Sequence, residues 1–259
     1  MAKITVGVCE APPAMEPGSQ EWNILARSVR ESSVDVFLIN EMPFGPWISA
    51  GETFNADVWI QSCEIHENGM ERLSELGAKV VLGSRPRELD GLRVNEAFVW
   101  TATEGYRGVH TKQYFPDEAG YYEARWFQAG KRHFRTAPTG LAKVGFLICT
   151  EVMFNEHARR YGRDGAQIIA VPRAVGRGSL PRWLVAMRMS AVVSGCYVLS
   201  SNRGGFDANG QEFGGRGWIV DPNGDMVGQT SAASPVITTS IDLDWVHYAQ
   251  GEYPCYVRE

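Results

Sequence analysis

The sequence predicts an α/β fold with mixed sheets, and three observations carry that prediction. Short runs of branched apolar residues, bounded by turn residues, recur along the chain and read as strands. Stretches with apolar residues at helical spacing fall between many of these runs. Two pairs of runs are joined by turn sequences, Glu104-Gly105 and Asp221-Pro222-Asn223-Gly224, and so form hairpins. Hairpins within a strand–helix alternation make the sheets mixed, not purely parallel. With 259 residues, 44% of them hydrophobic, the chain can bury a continuous core. The expectation is a single domain over 1–259 with a short tail from about 244.

Residues 1–8 read as the first strand; they lack the charged start, long apolar middle and cleavage site of a signal peptide. A Pro-rich loop over 12–18 leads to a helix over 21–33, with Trp22, Leu25 and Val29 on one side. The second strand, 34–40, ends at Glu41, and the loop after it holds Pro43, Gly45, Pro46 and Trp47. A helix over 57–76 closes near Gly77, and 78–84 is the third strand. The first hairpin pairs 96–103 with 106–110. The segment 113–131 contains Pro116, Gly120, Gly130 and six aromatic residues; irregular stretches of that length inside a compact domain are usually functional.

A buried strand over 144–148 then runs straight into Cys149. Beyond it come a helix over 155–163, a strand over 167–171, a helix over 181–195 with Pro181 in its first turn, and a strand over 196–200. The second hairpin, 217–220 with 225–228, and a strand over 236–243 complete the sheets. Tyr248, Tyr253, Pro254 and Tyr256 mark a tail without a clear period.

Composition excludes several classes of function. The net charge is -5, from 25 basic and 30 acidic residues, and no polybasic run is present, which argues against a nucleic-acid partner. The most apolar stretch, 183–199, is interrupted by Arg188, Ser190, Ser194 and Gly195 and does not read as a membrane span. Cys9, Cys63, Cys149, Cys196 and Cys255 are scattered, with no CxxC, so a reducing cytoplasm is the expected location. His66, His110, His133, His157 and His247 show no metal-ligand spacing. Gly204-Gly205 and Gly214-Gly215 lack the strand–helix frame of a phosphate cradle.

Three reactive side chains share one position in the pattern. Glu41, Lys112 and Cys149 each stand at or just past the end of an apolar strand, where α/β sheets bind ligands. Their chemistry is complementary. The thiolate is the nucleophilic form of cysteine, and a nearby ammonium would lower the thiol pKa. A carboxylate can take the proton and return it to a leaving group. An ammonium and a backbone N–H can hold a developing oxyanion. Together these describe acyl transfer through a thioester. Taken singly, each has a plainer explanation: core packing for Cys149, a cap or loop ion pair for Glu41, a solvated side chain for Lys112.

Gly145-Phe146-Leu147-Ile148-Cys149-Thr150-Glu151, followed by Asn155-Glu156-His157-Ala158-Arg159 and by Gly165-Ala166 through Val171-Pro172, resembles the nucleophile motif of the nitrilase superfamily of carbon–nitrogen hydrolases. Asn40-Glu41-Met42-Pro43 resembles its glutamate motif. His110-Thr111-Lys112-Gln113-Tyr114-Phe115-Pro116, with Gly120-Tyr121-Tyr122-Glu123, resembles its lysine motif. The three stand in the family's order, and the similarity extends from the first strand to about Asp242. The resemblance implies a four-layer α-β-β-α sandwich, association into homodimers or larger homo-oligomers, and an enzyme with no metal and no organic cofactor. Carried over, Cys149 is the nucleophile, Glu41 the general base and Lys112 the stabiliser of the tetrahedral intermediate. Glu123 matches a second glutamate near the lysine, and the Thr150 N–H would complete the oxyanion hole.

The activity this implies is an amidase: hydrolysis of a non-peptide C–N bond in a small molecule with release of ammonia. The substrate class is a primary amide, an ω-amide or an N-carbamoyl group; an organic nitrile is the alternative. A non-catalytic scaffold and a redox thiol protein are the readings from other classes. Intact Glu41, Lys112 and Cys149 speak against the first, and the lack of a second cysteine near Cys149 in sequence against the other. The chain departs from the family at Asn40, at Phe154-Asn155-Glu156 and at Arg173, which leaves the substrate open. Arg173 would hold a substrate carboxylate if it faces the pocket, or else pair with Glu151. Trp47, Phe115, Tyr121 and Trp126 are expected around an apolar pocket. His110 is the nearest candidate for a Cys–His dyad.

Overall fold

The computed structural model describes residues 3–131 and 134–257; the first two residues of the predicted opening strand and His133 lie outside them. Strand β1 (Lys3–Ala11) is central, parallel to β2 (Val36–Leu38) and antiparallel to β13 (Val236–Asp242). Between β1 and β2 runs α1 (Gln20–Glu31), started by Ser19, whose side chain accepts from the Trp22 N–H. Then come α2 (Ala56–Glu71), β3 (Val80–Leu89), β4 (Leu92–Thr101) and β5 (Gly105–Thr111). β2 and β3 are parallel, whereas β3, β4 and β5 form an antiparallel meander.

The second half builds on β7 (Lys143–Phe146), β8 (Ile168–Pro172) and β9 (Tyr197–Phe206), all parallel. Their crossovers are α4 (Asn155–Arg163) and α5 (Leu180–Ser194). The short α3 (Glu123–Trp126) and the edge strand β6 (Ala137–Pro138) lead into this half. β10 (Glu212–Gly214), β11 (Trp218–Val220) and β12 (Met226–Gln229) add antiparallel pairings around β9. The two mixed sheets join where Glu10 and Ala11 of β1 pair with Asn202 and Arg203 of β9.

Alternation along the strands sorts the core. Val6, Val36, Leu38 and Leu82 of the first sheet share one cluster with Phe146, Ile168 and Val198 of the second. Tyr161 of α4 and Met187 of α5 close the same cluster. The neighbours Phe37 and Val81 point the other way, into a cluster with Trp22, Leu25 and Val29 of α1. This packing fits the helix–sheet–sheet–helix layering that the resemblance implies.

Several elements differ from the sequence reading. The helix over 57–76 stops at Glu71 and continues as a 3-10 turn, Leu73–Leu76, before Gly77 with φ 67°. β3 and β4 extend past the predicted ends to meet at an Asp90-Gly91 turn. Arg85, Arg87 and Glu88 hid that extension, because they make the strand look like a loop. The tail beyond Asp242 is a helix, α6 (Leu243–Gly251), capped by the Asp242 side chain and burying Leu243 and Val246. Two buried positions are too few to set a visible period.

Gly145 lies under Tyr161, where an added Cβ would stand 2.5 Å from a ring carbon, and the Tyr161 hydroxyl donates to the Phe146 carbonyl at 2.9 Å. We therefore predict that Gly145→Ala costs about 1–3 kcal/mol by overpacking. Thermal unfolding tests this, and an unchanged midpoint would contradict the packing described.

Candidate active site

β2 ends at Leu38, and Ile39 and Asn40 carry the chain to Glu41. Glu41 is fully buried. Its Oε1 accepts from Lys112 Nζ at 2.8 Å and from Asn95 Nδ2 at 2.8 Å, while Oε2 is buried with no hydrogen-bond partner. Met42 beside it has φ 42°, a left-handed conformation that disfavours its side chain. Arg203, also fully buried, holds this turn by donating to the carbonyls of Met42, Gly45 and Pro13.

Lys112 follows β5, and its N–H donates to the Asn95 carbonyl at 2.9 Å. Asn95, on β4, thus fixes both the lysine backbone and the Glu41 side chain. Lys112 Nζ also donates to Glu123 Oε2 at 2.5 Å. Burial pulls the Lys112 pKa down, but Glu123 and Glu41 outweigh it and keep the ammonium charged. Burial pushes the Glu123 carboxyl up to about 7, against the pull of Lys112 and with the help of Glu41.

Cys149 opens a 3-10 turn, Cys149–Met153, just after β7. Its φ is 48°, a strained value for a residue with a side chain, costing roughly 1–3 kcal/mol. Glu151 holds that turn in place. Its carboxylate accepts from the N–H groups of Ile148 at 2.8 Å and Gln113 at 2.7 Å, and its oxygens lie 2.8 and 3.0 Å from His110 Nε2. One buried carboxylate therefore ties the cysteine turn to both sides of Lys112. His110 is engaged with Glu151 and is not the partner of the thiol.

Cys149 lies within reach of the charges of Glu41, Lys112 and Glu123, all of which act on its thiol. The sequence reading expects the lysine to lower the thiol pKa. The balance is the reverse: burial comes first and Glu41 next, and both outweigh Lys112, so the thiol sits well above 9.0. Burial and the Glu41 carboxylate thus hold the resting group as a thiol.

The thiol opens onto a pocket of about 200 Å3 that also contains Glu123, Thr150, Tyr121, Met153 and Trp183. Of the expected substrate contacts, Thr150 and Tyr121 line it. The Thr150 N–H is in the first turn of the 3-10 helix, where N–H groups lack intrahelical partners. Trp47 does not line it. This indole is buried behind Tyr121, 6.2 Å between centroids, and donates to the Gly120 carbonyl at 3.0 Å. Trp126 is likewise buried and donates to the Gly51 carbonyl, and Phe115 stacks on Phe127.

Arg173 is not at the pocket either. Its backbone continues the sheet, the N–H donating to the Ser201 carbonyl, and its side chain turns inward. Nε donates to Ser200 Oγ at 2.8 Å, Nη2 to the Arg216 carbonyl, and the guanidinium lies 4.0 Å from the Trp218 ring centre. It does not pair with Glu151. Burial lowers its pKa to about 9. Asn95, Glu151 and Arg203 are the residues that sequence reasoning missed as site components. A buried-strand reading of 92–95 and of 197–203 would have flagged Asn95 and Arg203 as polar groups needing partners.

Two predictions follow from this geometry. The thiolate absorbance that separates the protein from its Cys149→Ala variant should show no step below pH 9; a step near neutrality would mean that Lys112 dominates. Glu151→Ala should lose at least about 2 kcal/mol of stability in denaturant unfolding, because two buried N–H groups lose their acceptor. An unaltered unfolding midpoint would remove Glu151 from this role.

The sequence profile of the family described as carbon-nitrogen hydrolase matches residues 5–249. A citrullinase of Francisella tularensis subsp. tularensis is 31% identical over 179 residues, 64% of this chain and 63% of that protein. An N-carbamoylputrescine amidase of Arabidopsis thaliana is 28% identical over 192 residues, 68% of this chain and 64% of that protein. The match thus spans a little under two thirds of each relative's length. In three dimensions, a carbon-nitrogen hydrolase from Helicobacter pylori G27 superposes with a TM-score of 0.84 at 22% identity, covering 98% of this chain and 94% of that one. With the family profile running through both sheets and all the strand ends just described, the protein belongs to the carbon–nitrogen hydrolase family.

Proposed function

We propose that the protein is an amidase that hydrolyses a non-peptide C–N bond through a thioester on Cys149. The observation that carries this is the buried Glu41–Lys112–Glu123 cluster at the thiol, with one Glu41 oxygen left unpartnered. The substrate is a primary amide, an ω-amide or an N-carbamoyl group, and the name of the Arabidopsis relative favours the last of these.

The chemistry runs in two halves. Cys149 Sγ adds to the carbonyl carbon as its proton passes to Glu41. The oxyanion is held by the Lys112 ammonium and the Thr150 N–H. Glu41 returns the proton to the nitrogen, the C–N bond breaks and ammonia leaves. Water, deprotonated by Glu41, then attacks the thioester carbon; the C–S bond breaks and the proton returns to sulfur. Glu123 keeps the Lys112 ammonium in place throughout. For an N-carbamoyl substrate the acyl group handed to water becomes a carbamic acid, which loses CO2.

A reducing compartment such as the cytoplasm is the proposed location, supported by five free cysteines. No described helix is long and apolar enough to cross a membrane. Association of copies is supported by Val185 and Met189 on α5, which are 67% and 46% exposed.

Ammonia release across amides, ω-amides, N-carbamoyl compounds and nitriles is the test. Cys149→Ala should remain folded and lose turnover entirely. Glu41→Gln should fold and lose about 10²-fold or more. Undiminished ammonia release by either variant would sink the mechanism.

A further inference from the structure

Two opposite charges flank the pocket without meeting each other. Arg182 lies in the first turn of α5, exposed, and lines the pocket that holds Cys149. Glu118, exposed in the loop before α3, lines the same pocket. Among the described residues, no hydrogen bond or ion pair engages the Arg182 guanidinium or the Glu118 carboxylate. Nearby charged side chains behave differently: Arg125 is paired with Asp117 and Glu52, and Arg177 with Glu212.

Helix stability does not account for Arg182. A cation in the first turn faces the positive end of the helix dipole, which is mildly unfavourable. That turn holds no acidic residue and no side chain caps it, so nothing offsets the positive end of the helix at this rim. Trp183 and Met153 supply an apolar stretch in the same pocket. The pocket therefore combines a reacting end at Cys149, an apolar middle, a cation and an anion.

We infer that Arg182 and Glu118 select a substrate whose far end carries both a carboxylate and an ammonium group. Such a compound is an α-amino acid with an amide or ureido group at the end of its side chain. The guanidinium takes the carboxylate, and Glu118 takes the ammonium. This assignment rests on the hydrolase reading above, and it makes both residues determinants of specificity.

The test uses four compounds with the same reacting ureido end: the zwitterion, the acid alone, the amine alone and the neutral alkyl compound. The same four are titrated into the Cys149→Ala protein by calorimetry, which reads binding without turnover. The zwitterion should be preferred over the neutral compound by about 10-fold to 100-fold in kcat/KM and in affinity. Arg182→Gln should erase the part of that preference due to the carboxylate, and Glu118→Gln the part due to the ammonium, mainly through KM. The preference should also shrink as salt is raised. Similar rates and affinities for all four, or ratios untouched by both substitutions, would overturn the inference while leaving the hydrolase reading intact. Tight, Arg182-dependent binding of the zwitterion with no ammonia from any compound would do the opposite.

Discussion

A lysine ammonium buried between two carboxylates is the constraint from which the rest of the site follows. Lys112, Glu41 and Glu123 are all essentially inaccessible to water, so their charges survive only through one another. Removing Lys112 would leave two buried carboxylates with no cation between them. The three come from the end of β2, the end of β5 and the start of α3, and the cluster therefore fixes those segments relative to one another. Burial first, and the Glu41 carboxylate next, also keep the Cys149 thiol protonated against the pull of Lys112.

Around that cluster lies a shell of buried polar groups that hold its segments in place. Asn95 anchors Glu41 and Lys112 together. Glu151 joins the cysteine turn to the lysine segment. Arg203 pins the turn after Glu41, and Arg173 bridges Ser200 and the Arg216 carbonyl. Asn202 does the same for the segment after β8, accepting from the Val175 N–H and donating to its carbonyl. Irregular backbone at strand ends leaves N–H and C=O groups without ladder partners, and these side chains satisfy them.

What was legible in the sequence depended on local contrast. Glu41, Lys112 and Cys149 each follow a clear apolar run, so both strand and reactive residue could be read. The α1 stripe of Trp22, Leu25 and Val29 was visible for the same reason. For Arg173 and Trp47, neighbourhood in sequence does not give orientation. Arg173 lies beside the pocket-lining Ala174 and Val175, yet its buried guanidinium packs over Trp218 and does not line the pocket. Arg182 and Glu118 escaped notice because a charged residue in a loop or first turn looks ordinary until its lack of a partner is seen. The meander of β3 and β4 was shortened because its outer half alternates charges that pair across strands, as Arg87 does with Glu96.

The left-handed backbone at Cys149 has a consequence for how this protein can change. Glycine is the one residue that would relax that conformation, and glycine carries no sulfur. No substitution there can both relieve the strain and keep a thiol at the pocket floor. The protein thus carries a fixed instability at its centre that mutation can never repair locally. Gains in robustness must come from distant surfaces and loops, and the margin they provide determines how much further change the pocket rim can tolerate.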